Sequence, residues 1–206
     1  MISLSSHFCE RFKHYKMGCV NTRPELSIED LDFIADHTAI TRDKIDQHYD
    51  SFLLKYPDGK INRRGFATMM QARYPGRDTT QLEYHIFRMY DTNGDGYIDF
   101  REFIMVLYVM SIGTPEENLK KIFQVFDINN DGTVSQRELN RVVKDLFRLF
   151  EDNNDELNEE NFAKDAFKEM DINIDGKITQ EEFIRACLGH ETLSTMLALK
   201  VIDVFL

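Results

Sequence analysis

Cysteine is scarce in this 206-residue chain, which has three, and tryptophan is absent. Cys9, Cys19 and Cys187 are far apart and odd in number, so they form neither a disulfide framework nor a metal-binding spacing. Reduced thiols of this kind are typical of cytoplasmic proteins. The sequence therefore excludes a small secreted fold held by disulfide bonds and predicts a cytoplasmic location.

Long apolar runs and an excess of basic residues are also missing. The longest apolar run, Phe103 to Met110, is far short of the ~18 residues that span a bilayer. The N-terminus has no apolar stretch adequate for a signal peptide. With 25 basic and 36 acidic residues the net charge is −11, so no nucleic-acid partner is expected, because phosphate binding needs a basic face.

No grouping of residues suggests catalysis. The histidines are scattered, without a nucleophile or carboxylate constellation close in sequence, and such histidines usually pack between helices or face solvent. They are His7, His14, His37, His48, His85 and His190. We therefore expect no enzymatic activity.

Much of the acidic charge lies in three segments that fit one pattern, D-x-[DN]-x-[DN]-G, then five residues, then E. They cover residues 91–102, 127–138 and 171–182, named here loops 2, 3 and 4. A random match is expected on the order of 10⁻⁶ per start position, so three matches leave little room for chance. The pattern predicts three Ca²⁺ sites.

The spacing suits Ca²⁺, a hard cation that takes about six to eight oxygen ligands. Positions 1, 3 and 5 supply carboxylate or amide oxygens, position 7 its main-chain carbonyl, and position 12 a bidentate glutamate. Glycine at position 6 allows a sharp turn. The predicted ligands are Asp91, Asn93, Asp95, Tyr97 and Glu102 in loop 2, Asp127, Asn129, Asp131, Thr133 and Glu138 in loop 3, and Asp171, Asn173, Asp175, Lys177 and Glu182 in loop 4.

Amphipathic helical patterns flank each loop. Apolar residues at i, i+3, i+4 and i+7 spacing precede loop 3, and similar stripes follow it and flank loops 2 and 4. A helix–loop–helix unit of this kind is an EF-hand. The predicted fold is all-α and compact.

EF-hands occur in pairs, so three complete loops predict a fourth unit. Residues 54–65, named loop 1, keep Gly59 at position 6 and Ile61 at position 8. Leu54 replaces the first carboxylate, however, and Gly65 replaces the closing glutamate. We interpret loop 1 as structural and metal-free. Thr41 is the predicted N-cap of its entering helix.

Position 8 is β-branched in all four loops, which predicts short ladders joining loop 1 to loop 2 and loop 3 to loop 4. Gly113 is expected to end one lobe, and Thr114, Pro115 and Glu117 to open the next with a capping box. Acidic, asparagine-rich residues 151–161 are predicted to be a solvated linker. The predicted organisation is an N-terminal extension at 1–24, EF-hand pairs at 25–112 and 113–190, and a C-terminal helix at 191–206.

From Met17 to about Cys187 the chain resembles the neuronal calcium sensor family, which includes recoverin and the visinin-like proteins. The resemblance is carried by the degenerate loop 1 with Pro57 and Gly59, by residues 91–104, and by the lobe junction at 113–119. Tyr56 departs from the family, which usually has cysteine there. The resemblance implies four EF-hands in two lobes and a protein target, in many members a membrane-associated one.

The resemblance also implies an acylated glycine. Met17, Gly18 and Thr22 fit the pattern M-G-x-x-x-[ST], but the motif is internal. We hypothesise that Met17 is a used start, in which case Gly18 carries myristate and Cys19 palmitate. Two lipid chains give stable anchoring, whereas one binds at only about 10⁴ M⁻¹. The alternative is that Gly18 stays internal and the protein makes no membrane contact.

The leading interpretation is an intracellular calcium sensor, in which Ca²⁺ opens the helix pairs and exposes an apolar groove for a target. A calcium buffer and a permanent regulatory subunit like calcineurin B are the alternatives. The first-lobe groove candidates are Tyr49, Phe52, Phe66, Met69, Met70, Phe87, Tyr90, Phe103 and Leu107. Aromatic stripes at helical spacing are more often core than groove.

The C-terminal segment 191–206 has a broad apolar face and does not flank a calcium loop. The face is formed by Leu193, Met196, Leu197, Val201, Val204 and Phe205. Two interpretations remain open: a terminal core helix, or an internal plug for the groove.

Overall fold

A computed structural model describes residues 24–150 and 158–205 of the chain. The Met17–Thr22 motif, with Gly18 and Cys19, lies outside the described residues, as do Cys9 and most of the acidic linker. Helices dominate the described part, and two short ladders join them in pairs. The prediction of an all-α fold is confirmed.

From α2 to α9, the helices and strands follow the order that the loop motifs predict. In chain order they are α1 Ile28–His37, α2 Arg42–Lys55, β1 Lys60–Asn62, α3 Arg63–Arg73, α4 Thr80–Tyr90, β2 Tyr97–Asp99, α5 Phe100–Ile112, α6 Pro115–Phe126, β3 Thr133–Ser135, α7 Gln136–Phe150, α8 Glu159–Met170, β4 Lys177–Thr179, α9 Gln180–Gly189, α10 Glu191–Leu193, a π-helical turn Ser194–Leu199, and α11 Lys200–Phe205. Among the described residues, no helix combines the length and apolarity needed to cross a membrane.

The two ladders pair the loops as predicted. β1 runs antiparallel to β2 with Ile61 opposite Ile98, and β3 runs antiparallel to β4 with Val134 opposite Ile178. All four of these position-8 side chains are buried, so each ladder is fixed by apolar contact as well as by main-chain hydrogen bonds. Each lobe is therefore one pair of helix–loop–helix units.

The lobe junction has the predicted capping. The hydroxyl of Thr114 accepts from the amide of Glu117, the Glu117 carboxylate accepts from the amide of Thr114, and Pro115 occupies the first helical position. Gly113 ends α5, and a Cβ there would lie 2.5 Å from the carbonyl oxygen of Val109, which only glycine avoids. The short connection brings α4 against α6 and α7, so the two lobes are in contact.

Helix α1 was not predicted. The side chain of Ser27 caps it by accepting from the amide of Asp30 at 3.0 Å, and Ile34 is buried beneath it. The Arg101 guanidinium of α5 lies over the Phe33 ring and 3.3 Å from the Asp30 carboxylate. Only Ile34 is fully buried, so the apolar stripe of α1 is narrow and gave a weak signal.

The predicted linker at 151–161 is wrong at its C-terminal end. Residues 151–157 lie outside the described part, but Asn158 caps α8, accepting from the amides of Glu160 and Asn161. Asparagine at the N-cap and glutamates in the first turn favour a helix N-terminus.

The predicted N-cap residue Thr41 does precede α2, but its side chain makes no capping hydrogen bond.

The C-terminal segment differs from the continuous α-helix predicted over 191–206, because a π-helical turn interrupts it. Leu193, Leu197, Ala198 and Val201 are buried. The π-helical turn packs on α9, and α11 packs on both α5 and α7, so the segment contacts both lobes.

In α9, burial raises the pKa of the Cys187 thiol to about 12, so this cysteine is an inert core residue.

Substitution of Leu197 by alanine tests whether the segment is part of the core. Leu197 has no exposed surface, whereas Leu188, in the preceding helix α9, is 56% exposed. We expect Leu197→Ala to lower the free energy of unfolding by about 2–5 kcal/mol and Leu188→Ala to change it by less than about 0.5 kcal/mol. Urea denaturation of both variants in EDTA measures the difference, and equal effects would contradict the packing described.

Candidate metal centres in the helix-connecting loops

The structure places the predicted ligands of loops 2, 3 and 4 in one repeated backbone frame. Asp91, Asp127 and Asp171, at position 1, each end an entering helix, with their amides bonded to the carbonyl four residues earlier. Positions 7 to 9 form the ladder strands, and the exit helices follow at position 10. Each loop thus connects a helix C-terminus, a strand and a helix N-terminus within twelve positions.

Hydrogen bonds within each loop orient the side-chain oxygens. In loops 2, 3 and 4 the glycine amide at position 6 donates to Oδ2 of the position-1 aspartate at 3.0, 2.9 and 3.0 Å. The amide at position 5 donates to the asparagine Oδ1 at position 3 at 2.8, 2.9 and 2.9 Å. The amide at position 7 donates to the position-5 aspartate at 2.9 Å in all three loops. The same donors therefore hold the same oxygens in every loop.

The glutamate at position 12 joins the two ends of each loop. Its Oε2 accepts from the amide at position 9 at 3.2, 2.9 and 2.9 Å, which caps the exit helix. In loops 2 and 3 its Oε1 accepts from the amides at positions 2 and 3. In loop 4 the corresponding amides of Ile172 and Asn173 also donate to Glu182. Movement of this carboxylate is therefore coupled to the exit helix.

The donor set fits a hard cation. Carboxylate oxygens have two lone pairs each, so an oxygen that accepts an N–H retains capacity for a metal ion. In loop 2, Oδ1 of Asp91 is buried without a hydrogen-bond partner, an arrangement that is costly for an anionic oxygen unless a cation satisfies it. Oxygen-only ligands from carboxylate, amide and main-chain carbonyl match Ca²⁺ chemistry.

The carboxylates are turned towards their own loop backbones. Within the described residues, no three His, Cys, Asp or Glu side chains approach closely enough to enclose an ion as they stand. Each predicted site also includes an asparagine side-chain oxygen and a main-chain carbonyl oxygen, and neither comes from a His, Cys, Asp or Glu side chain. A bound cation would therefore have to draw the three acidic side chains of a loop together.

The closing glutamates of loops 2 and 4 differ in protonation behaviour. Burial raises the pKa of Glu102 and outweighs the hydrogen bonds from Asp99, Asn93 and Thr92. Burial also acts to raise the pKa of Glu182, but its hydrogen bonds from Thr179, Asn173 and Ile172 together outweigh it, and the net shift is downward. Loop 4 therefore holds its closing carboxylate in the ionised form more readily than loop 2.

Loop 1 keeps the frame without the ligands. Gly59 has φ +73°, near the glycine values of the other loops, and Asn62 caps α3 by accepting from the amide of Gly65 at 2.8 Å. The phenol of Tyr49 donates to the carbonyl of Pro24 at 3.0 Å and closes the space beside Gly59. The exposed charged side chains of this loop are four basic ones and one acidic one: Lys55, Lys60, Arg63, Arg64 and Asp58. Nothing in this arrangement favours a cation.

The groove candidates of the first lobe form its core in this structure. Met69 and Leu107 are partly buried, and the other seven are buried. Their rings connect the helices of the first hand to those of the second: Phe52 to Phe103 at 5.2 Å, Phe66 to Phe87 at 5.6 Å, and Phe66 to Tyr90 at 5.8 Å between centroids. An apolar groove here requires the helices of the lobe to separate.

Position 4 of each complete loop has a left-handed backbone. Gly94 and Asn130 occupy it in loops 2 and 3 with φ +74° and +57°, and both residue types tolerate that region. In loop 4 the residue is Ile174, with φ +58° and 87% of its surface exposed. A β-branched residue in this conformation is strained and gains no burial in return.

The arrangement of two lobes, each with a pair of ladder-joined helix–loop–helix units, defines the class of EF-hand proteins. The family model described as an EF-hand domain pair matches residues 79–139 and 116–188, both after loop 1. The chain is 38% identical over 125 residues to neuronal calcium sensor 1 of Lymnaea stagnalis, covering 61% of this chain and 65% of that protein. It is 27% identical over 124 residues to S-modulin of Aquarana catesbeiana, covering 60% and 61%.

Human recoverin is 28% identical over 172 residues, covering 81% of this chain and 86% of recoverin. The alignments with the Lymnaea and Aquarana proteins span just under two thirds of those relatives' lengths. The chain belongs to the neuronal calcium sensor family of EF-hand proteins. The resemblance derived from the sequence is confirmed.

Relief of the strain at position 4 of loop 4 is testable. We expect Ile174→Asn to raise the free energy of unfolding by about 1 kcal/mol, because asparagine tolerates the left-handed region. The control is Ile172→Asn, two residues earlier, where the exposed isoleucine has no positive φ. Thermal unfolding in EDTA distinguishes the two, and equal shifts in both variants would attribute the gain to polarity instead of backbone strain.

Proposed function

We propose that this protein is an intracellular calcium sensor that binds Ca²⁺ at loops 2, 3 and 4 and regulates a protein target. The observation that carries the proposal is the threefold repetition of one oxygen-lined loop frame, with its unsatisfied buried oxygen at Asp91. The proposed ligands are the fifteen residues predicted from the sequence, with position 7 contributing its main-chain oxygen. Loop 1 is proposed to bind no metal.

The loop geometry suggests how a bound ion would act on the fold. Bound Ca²⁺ supplies a divalent charge that attracts the oxygens of its loop. The closing glutamate lies in the first turn of the exit helix and caps it, so its displacement turns that helix relative to the entering helix. In the first lobe, the ring contact between Tyr90 of α4 and Phe103 of α5 would then separate and expose apolar surface.

The large aromatic side chains buried between the helices favour a sensor over a buffer. Large aromatic side chains from both helices of each hand meet in the first lobe, so a change in helix angle has a large effect on exposed apolar area. Relatives are named as calcium sensors, and one is named guanylyl cyclase inhibitory protein. By analogy we propose a membrane-associated protein target and no enzymatic activity, nucleic-acid partner or cofactor beyond Ca²⁺.

Contact with a membrane is proposed for products in which Gly18 is acylated. In that form the protein would be cytoplasmic but peripheral to a membrane, with Cys19 available for a second lipid chain. A calcium buffer or a permanent regulatory subunit remains the second candidate. It predicts Ca²⁺ binding without any calcium-dependent increase in apolar surface.

The number of sites and the role of the closing glutamates are tested together. We expect calorimetry to show three Ca²⁺ per chain, with affinities on the order of 10⁻⁷–10⁻⁵ M. Glu102→Gln, Glu138→Gln and Glu182→Gln should each remove one site, because the amide replaces a charged ligand oxygen, while helicity in EDTA is retained.

Glu117→Gln is the matched control for these variants. Glu117 has the same capping-box position at the start of α6 but lies outside the loops, so all three sites should persist. Four sites in the wild type, or a site lost in Glu117→Gln, would contradict the assignment.

A truncation tests whether α11 also covers the groove. Helix α11 packs on α5, the exit helix of loop 2, and its tether gives it a high effective concentration. We expect removal of residues 200–206 to increase calcium-dependent hydrophobic-dye fluorescence and target-peptide affinity. If the segment is only core, thermal stability falls and the calcium-dependent change in fluorescence stays at the wild-type value.

A further inference from the structure

One basic residue of the first lobe is bonded to the main chain of the second. Arg88, near the end of α4, donates to the carbonyl oxygens of Gln124 at 2.6 Å and Val125 at 3.3 Å, and also to that of Ile128. Its guanidinium is half-buried at the contact between α4 and α6. These are three acceptors for one planar donor group, and all belong to the entering helix and first residues of loop 3.

Two of the acceptors lie in the last turn of α6. The final carbonyls of a helix lack intrahelical partners, and a cation there also interacts favourably with the helix dipole. Arg88 therefore acts as a C-terminal cap supplied by the other lobe. Burial lowers the pKa of Arg88, while the carboxylates of Asp127 and Glu138 act in the opposite direction, as expected for a guanidinium close to the loop 3 ligands.

The third acceptor leads directly to the closing glutamate of loop 3. The carbonyl of Ile128 and the amide of Asn129 belong to the same peptide unit, and that amide donates to Oε1 of Glu138 at 3.2 Å. A cationic donor on the carbonyl polarises the peptide and strengthens its N–H as a donor. A continuous path of hydrogen bonds thus runs from Arg88 through one peptide group to Glu138.

The other end of the path is loop 2. Arg88 lies three residues before Asp91, the first residue of loop 2, in the helix that enters this loop. One turn earlier on the same helix, His85 lies 3.7 Å from Asp145 of α7, with both side chains buried. Helix α4 therefore packs against the second lobe along the face that carries His85 and Arg88, and a change in its angle at loop 2 would move Arg88.

We propose that Arg88 is a positioning residue for Glu138 and couples calcium binding at loop 2 to calcium binding at loop 3. The proposal rests on the proposed calcium-binding function. In this proposal, a change in the angle of α4 alters the hydrogen bond from Arg88 to the carbonyl of Ile128. The Ile128–Asn129 peptide then shifts, and the orientation of the closing carboxylate of Glu138 changes with it. Simple charge repulsion between Arg88 and Ca²⁺ is the competing explanation.

Three variants separate the hydrogen bonds from the charge. Arg88→Met removes both. Arg88→Lys keeps the charge but loses the planar fork that reaches several carbonyls. Arg137→Met removes one positive charge immediately before Glu138, from an exposed side chain, and serves as the matched control.

The first measurement needs no metal. In the calcium-free protein we expect the Asn129 amide to exchange with solvent about two- to tenfold faster in Arg88→Met and Arg88→Lys than in wild type or Arg137→Met, from the usual net strength of one hydrogen bond. Unchanged Asn129 exchange in Arg88→Met would overturn the path itself, whatever the calcium affinity of the loops.

The second measurement is a mutant cycle on calcium binding. The amides of Gly96, Gly132 and Gly176 each donate to the first aspartate of one loop, so their resonances follow loops 2, 3 and 4 separately. Glu102→Gln should change the loop 3 affinity by about fivefold or more when Arg88 is present. The change should disappear in Arg88→Met and Arg88→Lys and persist in Arg137→Met.

Three results of the cycle would overturn the proposal: no effect of Glu102→Gln on loop 3, coupling that survives in Arg88→Met, or coupling retained by Arg88→Lys, which would assign it to charge. A wild-type protein that binds no Ca²⁺ would refute the proposed function. In that case the Asn129 exchange result still decides whether Arg88 holds the loop.

Discussion

The closing glutamate of each complete loop belongs to two structures at once, and the rest of the lobe depends on this double role. One carboxylate oxygen caps the exit helix, and the other side of the same group is held by amides at the start of the loop. The first turn of the exit helix and the end of the entering helix are thereby joined through a single side chain. In the proposed function, a cation that displaced this side chain would therefore act on both helices at once.

Loop 1 shows what the frame becomes without that glutamate. Asn62 caps α3 from position 9, as Asp99 and Thr179 cap the exit helices of loops 2 and 4. Gly59 keeps the turn, and Ile61 keeps the ladder with Ile98. The first hand consequently retains its shape as the partner of the second, although its ligand oxygens have been replaced. The shared ladder and core join the two hands, since Phe66 of the first hand packs on Phe87 and Tyr90 of the second.

Direct contacts between helices join the two lobes. Arg88 of α4 donates to main-chain carbonyls of α6, and α4 packs on both α6 and α7, where His85 lies beside Asp145. The C-terminal segment adds a second connection, since α11 contacts both α5 and α7. Four helices from two lobes are therefore linked at one interface, and the hands of different lobes need not act independently.

The sequence alone determined the features that arise from local interactions. The loops, the pairing through Ile61, Ile98, Val134 and Ile178, and the capping box at Thr114 involve residues a few positions apart or one strongly patterned repeat, so side-chain type and spacing were sufficient. Tertiary structure decided the rest. The narrow stripe of α1, the π-helical turn near the C-terminus, the opposite pKa shifts of Glu102 and Glu182, and the path from Arg88 to Glu138 depend on burial and on contacts between distant segments. Such contacts leave no periodic trace in a single sequence, because each is made by one residue with whatever the fold brings beside it.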